Sequence, residues 1–154
     1  MKKIISLVLS VALVMSMGIT AFATNDISDS AERGFCIVES EESRNRVGRA
    51  RSTYDWEVLD SKWASTSLGA HFLTSYILWT LSDTRYAKAE TKHYDNNGDM
   101  ALLGYSRARF ESLFGIVISG SDSDRVWGYG TSVAETPKDV AGGVAHAYCG
   151  DESV

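Results

Sequence analysis

The residues with which this chain could do chemistry are few and scattered. His71, His93 and His146 are its three histidines, enough in number for a zinc site. No two of them have the helical His-x-x-x-His spacing, so nothing local draws them together and no metal site is assigned. Cys36 and Cys149 are the two thiols. An even count in an exported chain favours a disulfide, one that would tie the start of the mature chain to its end. In the chain-entropy picture, closing a loop of about 100 residues stabilises by about 4.7 kcal/mol, less any strain. Cys149 and His146 are no thiol–base pair, because residues i and i+3 on a strand point to opposite faces.

The acids offer no clearer chemistry. Asp95, Asn97 and Asp99 begin like a calcium loop, but the sixth position of such a loop needs Gly and the twelfth Glu. Here Gly98 is fourth and Ser106 twelfth, so a turn is the better reading. Asp122 and Asp124 read as a solvated loop. Gly-x-Ser-x-Gly is absent, and Gly128-Tyr129-Gly130 is too short for a phosphate loop. No pair of carboxylates stands out for glycoside hydrolysis. No catalytic residue and no cofactor is therefore assigned.

One set of residues does stand in step. Arg85 to Tyr94 alternates, with Ala87, Ala89, Thr91 and His93 on one face and Tyr86, Lys88, Glu90, Lys92 and Tyr94 on the other. Leu102 to Leu113 alternates again, with Tyr105, Arg107, Arg109 and Glu111 opposite Ser106, Ala108, Phe110 and Ser112. Asn96-Asn97-Gly98 between them predicts an antiparallel hairpin of residues 85–94 with 100–113. Its outward face would gather Tyr86, Lys88, Lys92, Tyr94, Tyr105, Arg107 and Arg109, able to grip a sugar, peptide or wall polymer by stacking and charge. The same pairs could simply stabilise a sheet.

The elements that must position these residues read as β. Short strands are expected at Trp56–Asp60, His71–Leu81, Arg125–Ala134 and Val144–Cys149, with Ser61–Gly69 as turn. With the two alternating segments they predict an all-β fold, a small antiparallel β-sandwich or open barrel over residues 54–150, with 151–154 as a tail. Residues 24–53 are polar and read as an N-terminal arm, mobile or partly helical. Phe35-Cys36-Ile37-Val38 is its only anchor, and Arg44–Arg51 is an alternative site of pro-segment cleavage.

Before the arm, Met1-Lys2-Lys3, the apolar run Ile4–Met17 and Ala21-Phe22-Ala23 form the three parts of a secretory signal peptide, residues 1–23, cleaved after Ala23. The run is short for a membrane span, and no later apolar segment is long enough for one. Cleavage removes Lys2 and Lys3 and no acid, leaving 131 residues with 13 basic and 20 acidic side chains, a net charge of −7. That argues against nucleic acid as a partner.

From Tyr86 to Gly150 the order of elements resembles small secreted β-sandwich proteins of Gram-positive bacteria, of which the lactococcin 972-like bacteriocins are the named example. The resemblance rests on residues 87–94, the Asn96-Asn97-Gly98 turn, Tyr105-Ser106-Arg107-Ala108-Arg109 and the closing Ala147-Tyr148-Cys149-Gly150. It covers under half the chain. Tyr54–Leu81 has no counterpart there, and no site residue carries over. It implies binding of a cell-wall precursor. The expectation is a secreted, non-enzymatic protein that binds a cell-wall component or other surface polymer. The alternatives are a structural, envelope-associated β-domain without toxic activity and a small secreted hydrolase.

Overall fold

The computed structural model describes residues 34–44 and 55–154, all within one compact unit, Arg33–Val154. The expected signal peptide, most of the expected arm and the Arg-rich stretch after Arg44 lie outside the described residues. Among the described residues eight strands follow in order: β1 (Phe35–Val38), β2 (Glu57–Ser65), β3 (Gly69–Trp79), β4 (Arg85–Asp95), β5 (Leu103–Glu111), β6 (Val126–Tyr129), β7 (Thr131–Glu135) and β8 (Val144–Gly150). One helical turn, α1 (Glu41–Arg44), follows β1.

Two antiparallel four-stranded sheets, ordered β1-β8-β5-β6 and β2-β3-β4-β7, pack face to face as a sandwich. The expected all-β class holds. Alternation decides which residues go inside: Leu73, Ile77, Ala87 and Ala89 from one sheet meet Ile37, Ala108, Phe110, Ala145, Ala147 and Cys149 from the other. Many of the inward residues are alanines, so a single large ring, Phe110, fills much of the space between sheets.

Four of these expectations need correction. Residues 35–38 are not part of an arm but an edge strand of the sandwich, with Ile37 fully buried. Their apolar content outweighs the polar flanks. The predicted hairpin does not form: β4 pairs with β3 and β7, and β5 pairs with β8 and β6. The turn itself is present, with Gly98 at φ 87° and the Asp95 carboxylate accepting from the amides of Asn97 and Asp99. The chain then runs on through Met100–Leu102 and crosses to the other sheet. Alternation and Asn-Gly suit an arch between sheets as well as a hairpin within one, so the partner choice was open. The expected strand Arg125–Ala134 is likewise broken at Gly130, and its halves β6 and β7 join different sheets. Gly130 makes the corner at φ 69°, and a Cβ there would lie 2.3 Å from the Met100 carbonyl oxygen.

The fourth correction concerns the disulfide. Cys36 and Cys149 are unbridged thiols. β1 pairs with β8 so that Phe35 is opposite Cys149 and Cys36 opposite Tyr148. The two cysteines are thus one register step apart, and alternation sends Cys149 into the core and Cys36 to the outer face.

Candidate binding surface

The arch divides the seven aromatic and basic residues between opposite outer faces of the sandwich. Tyr105, Arg107 and Arg109 lie on the β1-β8-β5-β6 sheet and are held by neighbours. Tyr105 is buried against Trp127 with the Arg125 guanidinium over its ring. Arg107 grips Asp122, and Arg109 donates to Glu111 at 2.7 Å and to Tyr148 at 3.0 Å. Tyr86, Lys88, Lys92 and Tyr94 lie on the β2-β3-β4-β7 sheet.

On that second face the strands bring in partners that the sequence reading left out. β2 runs through Ser65, beyond the expected Asp60, so Trp63 is a strand residue paired with Phe72, which in turn pairs with Lys92. The Trp63 ring lies 5.0 Å from Phe72 and 5.5 Å from Tyr94, centroid to centroid, at tilted angles. Trp63 remains 60 % exposed although two rings fix it. Lower on the face, Lys88 sits 4.4 Å over Tyr76 and 4.5 Å over Trp56, and Tyr76 donates to Glu90 at 3.3 Å. The signal that could have found Trp63 is the short Thr66–Gly69 turn. Pairing across it puts Trp63 against Phe72.

Trp63 divides two clefts. One, about 560 Å³, runs between Trp63 and Tyr94 and is floored by Ala70 and rimmed by Asp95 and Asn96. The other, about 640 Å³, lies toward Phe35, Thr66 and Ser153 and reaches His71.

Beneath the second cleft a chain of buried polar groups crosses the sandwich. Asp151 accepts from Thr66 and stands 3.0 Å from His71 Nε2. His71 Nδ1 faces His93 Nδ1 at 2.8 Å, and His93 Nε2 meets Ser132 Oγ at 2.7 Å. Ser132, Ser106 and Thr91 continue the chain at 2.8 and 2.7 Å. One proton assignment satisfies every link. His71 Nε2–H donates to Asp151, His93 Nδ1–H donates to His71 Nδ1, and Ser132 Oγ–H donates to His93 Nε2. Burial, reinforced by His71 and opposed by Asp151, lowers His93 to a pKa of about 4, so the His93 ring is neutral near pH 7. Burial would raise Asp151, but hydrogen bonds from Ser153, Thr66 and His71 hold it below the ordinary carboxylate range.

An Asp–His–His–Ser array has the outline of a nucleophile relay. Here Ser132 is only 4 % exposed and both histidines are fully enclosed between the sheets, so a substrate has no access to the hydroxyl. The array positions strands. His146 stands apart from it, on the outer face beside Tyr148. Among the described residues no group of three or more His, Cys, Asp or Glu is placed to hold a metal ion.

Comparison with known proteins finds no matching family model, no matching curated relative and no matching solved structure.

Proposed function

We propose that the protein is a secreted, non-enzymatic binding protein whose ligand is a saccharide-bearing surface polymer, such as a cell-wall component. The reading rests chiefly on Trp63, a 60 % exposed indole braced by Phe72 and Tyr94 beside a cleft. Leaving a large ring in water is unfavourable, and fixing it in advance lowers the entropic cost of stacking a flat apolar partner on it. The C–H face of a sugar ring is such a partner, while Asn96 at the rim of the cleft supplies an amide for hydroxyl groups. The exposed Lys92 beside Phe72 would favour a polymer that also carries negative charge. The resemblance to lactococcin 972-like proteins points to the same class of ligand.

A glycoside hydrolase would need two convergent carboxylates. Asp95, the acid lining the cleft among the described residues, is occupied in holding its turn through the amides of Asn97 and Asp99. Secretion rests on the residue 1–23 pattern, and N-terminal sequencing of protein from the medium should begin at Thr24.

The binding test uses the mature chain and purified cell walls. Trp63→Ala is expected to weaken sedimentation with walls at least about tenfold, the equivalent of about 1.4 kcal/mol. The thermal midpoint should change little, since Trp63 is exposed on an edge strand. Equal sedimentation by that variant, or none by the natural chain, would overturn the proposal.

A further inference from the structure

The outer face of the β1-β8-β5-β6 sheet carries a second cluster, away from Trp63. Cys36 Sγ is 3.8 Å from His146 Nδ1. The other ring nitrogen, Nε2, lies 3.7 Å from Glu111 Oε2. Tyr148 Oη is 3.2 Å from His146 Nδ1, donates to Glu111 Oε1 at 2.9 Å and accepts from Arg109. The order nucleophile, base, carboxylate is thus built across three neighbouring strands from residues far apart in sequence.

We propose that Cys36 is a reactive thiol site, with His146 taking its proton and Glu111 balancing the resulting imidazolium, and that its reaction partner is a small-molecule disulfide. The hydrogen bonds fit this transfer. In the resting state Sγ–H points at an unprotonated Nδ1. The Tyr148 hydroxyl hydrogen is committed to Glu111, so once Nδ1 is protonated it can donate to Tyr148 Oη. Burial holds His146 below the ordinary imidazole value, Glu111 opposes that and Arg109 adds to it, which leaves a neutral base near pH 7. The described groups facing the thiol are His146 and Tyr148 from β8 and Arg109 and Glu111 from β5. Arg107, opposite Tyr148, is engaged by Asp122.

In the reaction the Cys36 thiolate attacks one sulfur of the disulfide. A new sulfur–sulfur bond forms, the old one breaks, and the leaving thiolate takes the proton from His146. Cys36 is oxidised and the departing sulfur is reduced. A disulfide is a better partner than an acyl group, because exchange needs only an accessible sulfur and a base. Acyl transfer would also need oxyanion donors, and in β8 and β5, the two strands beside Cys36, the backbone amides are committed to ladders on both sides. The mixed disulfide should persist, since Cys149 lies on the other side of the sheet and cannot displace it.

The full reduced chain is treated with a dipyridyl disulfide, following the released thiopyridone by absorbance and locating the adduct by peptide mass spectrometry. One equivalent is expected on the native protein, at Cys36, with Cys149 reacting after unfolding. Burial pushes the Cys149 thiol up to about 12, so it serves as an internal control. The rate should rise at or below the ordinary histidine pKa of about 6.5, where a simple thiol rises near about 8.5. His146→Gln should slow it at least about tenfold at pH 7 and move the rise toward the thiol value. Equal rates and profiles in the two proteins, or faster labelling of Cys149, would overturn the assignment. If the variant does not fold, a natural-chain profile with a single rise near about 8.5 would do the same.

Discussion

At the end of the core, Glu39 and Arg85 are both buried and 2.6 Å apart. The rest of each side chain is also engaged. Glu39 accepts from the Ala145 amide, while Arg85 donates to the Gly143 carbonyl and lies over Trp79 and Phe110. Burial raises the Glu39 carboxyl, and Arg85 and the Ala145 amide only partly offset it. The desolvation penalty therefore exceeds the gain from pairing, as is common for buried ion pairs. Two consequences follow at this scale. Glu39→Ala should destabilise by about 3–5 kcal/mol in urea unfolding, because it strands a buried guanidinium. Glu39→Leu combined with Arg85→Met should cost far less than the single change, and additive losses would contradict this account. Neither residue announces the pair in sequence. Glu39 is one of several acids in a polar stretch, and its partner is 46 positions away.

The strands themselves were largely legible, because β-branched and aromatic residues in alternation identify a half-buried strand wherever it lies. The inward sets at Ala87, Ala89, Thr91, His93 and at Ser106, Ala108, Phe110 also hold. Sheet membership was not legible, since it is decided by contacts distant in sequence. β4 and β5 show how. Both have the right pattern to pair with each other, yet their inward faces meet across the sandwich, where Thr91 Oγ1 reaches Ser106 Oγ at 2.7 Å. Sheets stacked about 10 Å apart need a crossing segment longer than a two-residue turn, and Met100–Leu102 provides it. Gly130 guards the crossing, where its amide donates to the Leu102 carbonyl at 2.9 Å. Gly130→Ala combines a strained φ with a collision against Met100 and should cost about 1–3 kcal/mol. Gly98→Ala shares the positive φ but meets nothing within 4 Å, so it should cost less. Thermal unfolding of the two variants side by side gives the comparison, and equal losses would mean that the close approach at Gly130 is relieved cheaply.

Across the whole molecule, the Asp151–His71–His93–Ser132–Ser106–Thr91 chain joins the C-terminal tail and four strands from both sheets. The sequence shows the histidines but not the chain, because His71 and His93 meet only through the β3–β4 register that places them opposite each other on the inward face. Their arrangement makes the fold sensitive to acid, and the sign is fixed. His93 has a pKa of about 4 in the folded protein against 6.5 for an ordinary histidine. Between those values the unfolded chain binds a proton that the folded chain refuses, so stability rises with pH through that window and is lost as pH falls. The loss from this group is on the order of 3 kcal/mol, complete near pH 4. Protonation would also place a hydrogen on His93 Nε2, the nitrogen that accepts from Ser132 Oγ–H in the neutral ring, and set two hydrogens against each other there. His146, likewise lowered by burial, contributes loss of the same sign, and Asp151 and Asp122 add theirs as the pH falls below the ordinary carboxylate value. Unfolding free energies in urea from pH 7 to pH 4 should therefore fall steeply. His93→Gln should be less stable at pH 7 but show a shallower slope, while His146→Gln should retain most of it. A slope unchanged by His93→Gln would place the acid sensitivity elsewhere and reduce the histidine pair to packing.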